Sequence, residues 1–374
     1  MNRHPNPHAL LTIFMLMMVS PIRGENLPAV DLPACLKQSI EATRTLPYEG
    51  ILAFQRLLEG NDLSVTLKVC HSSPDEKKME ILSPETLHGM LVVQSQKALW
   101  MTPLEDKTLT EEQKKNREND ARSLRWFRVL RDDTATIGLE DISLVVQNYI
   151  LATTQTVSVA NRKALEIHIT PKPNNRPANS RPSLRIWIDE ETKLPLKYER
   201  FDYNGHLEEK LEFQKITTGS IGMPCVLSTD GLEKIFSMAD AEADQQEMQL
   251  DFIPLKPSRL PQGFQEKFSF RWKGREGVTL HTLYTDGLAR VSTFQRKQTD
   301  AEKAKQEQEP ADSRDKVKKP NWANREAFIR ELNGVHVFAV GDIPERGILR
   351  LLYNLEPSAI PPPPGNPAAN PQNK

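Results

Sequence analysis

Neither sign of charge dominates this sequence: 49 basic residues stand against 50 acidic ones over 374 positions. A chain without a basic surplus lacks the electrostatic footprint of a nucleic-acid binder or of a polybasic membrane patch. Cysteine is scarce too, three in all, and the spacings of Cys35, Cys70 and Cys225 match no zinc or redox motif. The patterns G-x-S-x-G, H-E-x-x-H and C-x-x-C and a phosphate-cradling glycine loop are all missing. With no nucleophile, base or metal set assembled, the chain reads as a binding protein and not an enzyme; no catalytic residue, metal or cofactor is expected. His168, His281 and His336 fall in predicted strands and are expected to be structural. The carboxylates of Asp189 to Glu191 fall in a turn and are expected to be solvated. After Ser20 no apolar run approaches the ~20 residues that span a bilayer.

What is present begins with a leader. Arg3 precedes the apolar core Ala9 to Ser20, and Gly24 offers a small residue for cleavage before Glu25. This is the arrangement of a secretory signal peptide, Met1 to Gly24, with a core too short for an anchor. Export predicts a mature protein that is soluble outside the cytoplasm. An oxidising compartment permits one disulfide, for which Cys35 and Cys70 are the candidates because both lie in the first domain. Three unpaired thiols is the alternative.

The stretch Ser183 to Ile216 organises the rest. Leu184, Ile186 and Ile188 alternate with Arg185, Trp187 and Asp189, the period of a strand with two unlike faces. A polar turn at Glu190 to Lys193 and an Asn204-Gly205 turn then join three strands into a meander with one apolar face. Such a face needs a cover: a helix, a second sheet or a ligand. Upstream, a short helix after Asp31 is followed by strands at Tyr48 to Leu57, Leu63 to Cys70, Lys78 to Leu82, Gly89 to Gln94 and Ala98 to Met101. Ile142, Val145, Val146 and Tyr149 share helical spacing, so Glu140 to Leu151 is predicted as an amphipathic helix covering the sheet. Thr156 to Ala160 and Ala164 to Thr170 are two further strands. This order resembles the curved half-barrel of lipoprotein carriers of the LolA/LolB type, whose helices line the concave face and leave a cavity for acyl chains. On that resemblance Met90, Trp100, Met101, Trp126, Phe127, Tyr149, Trp187 and Phe213 are the candidate cavity residues, although apolar side chains at this spacing also make ordinary core.

Residues 218–255 break the pattern and read as a linker, with a short helix at Leu232 to Met238. Beyond it, Val278 to Lys297 forms two alternating strands around a tight Asp286-Gly287 turn. Lys297 to Pro320 is almost wholly polar and is predicted to be a disordered insertion. Two strands flanking Asn333-Gly334 follow, then a helix whose face is Ile348, Leu351, Leu352 and Leu355, capped by Asp342. Residues 358–374 are a proline-rich tail expected to be extended and disordered. The fold class is α+β: an N-terminal curved antiparallel half-barrel with helices on its concave face over residues 25–217, and a smaller C-terminal antiparallel sheet with one helix over residues 256–357.

Four phrases together resemble the MucB/RseB family: "WIDEETKLPLKYERFDYNGHLEEKLEF", "LPQGF" at Leu260 to Phe264, "LYTDGLARVSTF" at Leu283 to Phe294 and "VHVFAVGDIPE" at Val335 to Glu345. The resemblance implies a periplasmic regulator of an envelope-stress sigma factor. Its partner would be the periplasmic part of a single-pass anti-sigma factor, shielded from the protease that begins its destruction. Lipid, lipopolysaccharide or lipoprotein acyl chains in the first domain would relieve that protection; a plain lipoprotein carrier is the alternative, and homo-oligomers are left open. Tyr284, Asp286, Gly287, Leu288 and Arg290, with the final helix, are the candidate partner contacts.

Overall fold

The computed structural model describes residues 30–57, 62–73, 76–95, 98–103, 110, 112, 139, 141–173, 181–219, 225, 228–237, 248–274, 276–308, 310, 316–320 and 326–358. The leader, Trp126, Phe127 and the proline-rich tail lie outside them. The chain divides into two compact units, Met1–Asp31 and Leu32–Lys374, and every element below belongs to the second.

Helix α1 (Leu32–Thr45) leads into strands β1 (Tyr48–Arg56), β2 (Leu63–Ser73), β3 (Glu76–Ser83), β4 (Leu91–Ser95) and β5 (Ala98–Met101). Helix α2 (Ile142–Asn148) precedes β6 (Tyr149–Val159), β7 (Arg162–Pro171), β8 (Ser183–Asp189), β9 (Pro195–Phe201), β10 (Leu207–Thr218) and β11 (Glu233–Ser237). These eleven strands make one antiparallel sheet in the order β11-β5-β4-β3-β2-β1-β10-β9-β8-β7-β6. Alternation builds its core face. Leu52 and Phe54 pair with Leu67 and Val65 on one side and with Phe213 and Leu211 on the other. Tyr198, Ile186 and Ile167 continue the row across β9, β8 and β7. Leu36 and Ala42 of α1 and Ile142 and Val145 of α2 are buried in the same cluster, as a one-sided apolar sheet requires.

Strand β12 (Leu255–Pro257) pairs with β18 (Leu355–Pro357). Between them come β13 (Gln265–Gly274), β14 (Gly277–Thr285), β15 (Arg290–Lys297), helix α3 (Asp300–Gln308), β16 (Ala327–Leu332), β17 (Val335–Gly341) and helix α4 (Glu345–Tyr353). Five of these strands form a second sheet, β13-β14-β15-β17-β16. Its core joins Tyr284, Val291, Val337 and Ala339 to Ile348, Leu351 and Leu352 of α4.

Several expectations need correction. Residues Glu233–Ser237 are strand β11, hydrogen-bonded to β5, and not a helix. The second helix is shorter than predicted: the Asp141 carboxylate accepts from the amides of Ser143 and Leu144 to start it, and Tyr149 is already extended. Val146, assigned to the covering stripe, is exposed. The insertion expected to be disordered contains α3. Thr299 and Glu302 bond reciprocally, Glu302 Oε2 accepting from Thr299 N at 2.9 Å and Thr299 Oγ1 from Glu302 N at 3.3 Å, which satisfies the first turn. The disulfide joins Cys70 to Cys225, with Cα atoms 6.1 Å apart, and Cys35 is a buried free thiol. Cys35 lies on the core face of α1, whereas Cys70 alternates with Val69 and His71, which point inward, and so faces away from α1.

Candidate functional site

The candidate cavity residues part company. Met101 and Phe213 are buried on the core face of the large sheet, Tyr149 at its margin, and Met90 in the turn entering β4. Phe213 packs edge-on against Tyr48, ring centres 5.8 Å apart. Trp187 falls on the opposite face from Ile186 and Ile188, with the Lys197 ammonium 4.2 Å from its ring centre. Trp100, paired with Val93, is on the other face from Met101. Period-2 alternation dictates both outcomes.

The residues expected to meet a partner are instead inside the molecule. Thr285, Asp286, Leu288 and Ala289 are fully buried, and Tyr284 is nearly so. The turn is a four-residue loop, since Thr285 pairs with Arg290. Asp286 Oδ1 accepts from the amides of Leu288 (3.1 Å) and Ala289 (2.8 Å), and Gly287 takes φ +105°. A Cβ at Gly287 would lie 2.6 Å from Val145 N and 2.8 Å from Asp141 O, so the loop's backbone rests directly on the start of α2. Loops ordinarily run over the surface. This one enters the core of the large sheet, where the Leu288 side chain belongs to the first cluster and not the second.

Charged groups surround it. Arg181 Nη1 lies 2.9 Å from Asp286 Oδ2, and the Tyr149 hydroxyl donates to the Asp286 carboxylate at 3.0 Å. Asn148 Nδ2 donates to the carbonyls of Asp286 (3.0 Å) and Gly263 (3.1 Å). Arg181 also donates to the Gln262 carbonyl. From β9, Arg200 donates to Leu288 O at 3.2 Å and to Asp342 Oδ2 at 2.7 Å. Asp342, expected to cap α4, is thus spent on Arg200 and on Arg290 at 3.4 Å, and Pro344 stands at the N-cap of α4 without a side-chain cap. Arg290, the last of the expected partner contacts, is half-buried beside it. Burial pushes the Asp286 carboxyl up against the pull of Arg181 and the two amides, and burial beside Asp286 pushes the Tyr149 phenol well up. Burial opposes the charge on Arg200, but Asp342 and Glu208 outweigh it and its pKa is raised.

The carboxylates of the Asp189 turn are not all solvated: Asp189 is buried and takes Arg162 through both oxygens, at 3.1 and 2.8 Å. Among the described residues, Glu302, Glu331 and His336 bring three metal-ligand atoms within 4.8 Å of one another. Arg296 already holds both Glu302 oxygens, at 2.7 and 2.6 Å, so the group is an ion-pair network fastening α3 to the sheet.

Comparison with known proteins gives a consistent result. The sequence model of the family described as MucB/RseB N-terminal domain matches residues 31–249. A solved structure of the Pseudomonas aeruginosa MucA/MucB complex is similar at 18% identity and TM-score 0.57, covering 88% of this chain and 100% of that one. A structure of MucB in complex with MucA(peri) is similar at 17% identity and TM-score 0.57, over 88% and 100% of the two chains. A structure of MucB alone gives 19% identity and TM-score 0.52 over 87% and 97%. Curated protein sequences give no match. With its family match running through the whole of the large sheet, the chain belongs to the MucB/RseB family.

Proposed function

We propose that this protein is a periplasmic negative regulator of an envelope-stress sigma factor, acting by binding the periplasmic part of a single-pass anti-sigma factor and shielding it from proteolysis. The observation that carries the reading is the pairing of both sheets in one chain. A family match covers the first sheet, and the fold similarity to MucB solved with MucA extends over 88% of the chain, beyond the first sheet. A carrier of lipoproteins would need only the first sheet. Among the described residues no helix is long and apolar enough to cross a membrane. Because Tyr284, Asp286 and Leu288 are buried, this reading does not rest on the Asp286 loop as the contact surface.

The proposal includes sensing: a lipid or lipoprotein acyl chain reaches the core face around Met90, Met101, Tyr149 and Phe213 and weakens partner binding. The test is a pull-down of tagged leaderless protein from its own envelope extract, read by mass spectrometry. Enrichment of one single-pass inner-membrane protein is the expected result. Recovery of assorted acylated lipoproteins with no such protein would transfer the chain to the carrier class. Addition of a fatty-acyl probe should release the captured partner; unchanged capture at saturating probe would remove the sensing role.

A further inference from the structure

The contacts around the 285–289 loop run one way. The large-sheet side supplies donors: the Arg181 and Arg200 guanidinium groups, the Tyr149 hydroxyl and the Asn148 amide. The loop side supplies acceptors: the Asp286 carboxylate and the carbonyls of Asp286 and Leu288. The two arginine side chains are only 7% and 2% exposed. With the loop gone Arg200 would keep Asp342 and Glu208, but Arg181 would lose its carboxylate partner, and a buried guanidinium in that position is strongly unfavourable, so the site favours an occupant that brings a carboxylate. Beside it is an apolar socket filled by Leu288, which is fully buried in the same cluster as Val145 and Tyr149; Val145 lies against the neighbouring Gly287. Gly287 is the only residue type that fits between, because any side chain would strike the backbone of α2.

We propose that these donors and the socket form a peptide-binding site on the large sheet, which the chain's own Asp286-Gly287-Leu288 turn fills as a ligand in cis. The ligand class is a peptide turn that presents a carboxylate, then a residue without a side chain, then an aliphatic side chain. A second chain of that chemistry competes with the loop, and binding in trans requires the loop to leave. The tether gives the loop a high effective concentration, so the intact chain is closed to trans peptide unless its own turn is weakened. The proposal stands on geometry alone and does not depend on the anti-sigma reading.

The experiment uses the full chain and a fluorescent peptide of residues 283–291. The Asp286→Asn/Leu288→Ala double variant should bind the peptide at least tenfold more tightly than the unsubstituted chain. Adding Arg181→Gln to the variant should abolish that binding. Equal binding by both chains, or no binding by a variant with unchanged strand content, would overturn the proposal. Should the variant fail to fold, hydrogen exchange of the unsubstituted chain decides. The Leu288 and Ala289 amides are expected to exchange through a local opening that leaves the β15–β17 amides protected. Exchange of those two amides only on global unfolding would rule the site out.

Discussion

Asp189 and Glu302 show how a carboxylate changes role with its neighbours. Burial alone would raise the Asp189 carboxyl, but hydrogen bonds from Arg162 and Thr192 outweigh it and hold the pKa below the ordinary value. Replacing it by Ala leaves the half-buried Arg162 with only Glu191, at the exposed end of its reach. Asp189→Ala is expected to cost roughly 3–5 kcal/mol in urea denaturation, the range for breaking a buried pair. A loss below 1 kcal/mol would return the residue to the solvated role expected from its turn. Glu302 is held down at about 2 by the hydrogen bonds from Arg296, with the Thr299 amide adding to them against burial. A depressed carboxyl contributes stability above its unfolded value and loses it as pH falls through the folded one. The anchoring of α3 should therefore persist at neutral pH and fade from about pH 4.5 down to about pH 2. Amide exchange along Asp300–Gln308, followed against pH in the natural chain and in Glu302→Gln, checks this. In the variant the acid-dependent step should be gone. Asp189 was misread because its partner, Arg162, is 27 residues away across β7, and turn composition carries no information about that strand.

At the scale of elements, the strands were largely legible because alternation of apolar and polar side chains is written in the chain itself. Helix α3 was legible too, in Thr299 and Glu302 at capping-box spacing, but the charge of the surrounding stretch hid it. The two remaining errors, a helix expected where β11 forms and the overlong end of α2, have a different cause. Short segments take the conformation their neighbours offer, and Glu233–Ser237 becomes a strand because the edge of β5 is there to pair with. Gly50 is a further element-level constraint. It faces the core from the first part of β1, and a Cβ there would lie 2.5 Å from Lys215 O and 3.0 Å from the Phe213 ring, next to where the β1–β10 register shifts. Gly50→Ala should destabilise by about 1–3 kcal/mol through overpacking. The thermal midpoint measures it, and an unchanged midpoint would mean that β10 can move aside.

Across the whole molecule, the Cys70–Cys225 bridge spans 155 residues of sequence and ties the middle of the large sheet to the segment before its edge strand β11. Chain-entropy reasoning assigns a loop of that length about 5 kcal/mol. Mild reduction should lower the denaturation midpoint accordingly, and non-reducing peptide mapping should recover Cys70 with Cys225. Burial pushes the Cys35 thiol up, so Cys35 should resist alkylation until the chain unfolds. A Cys35–Cys70 peptide would contradict the fold. The sequence alone determined the two antiparallel sheets, the apolar face of the first and the family resemblance, because alternation and turn residues act over a few positions. Only the tertiary structure decided which cysteines meet, and that the Asp286 loop lies within the large sheet's core. Each of those outcomes depends on groups tens to more than a hundred residues apart, brought together by burial and ion pairing that no local pattern records.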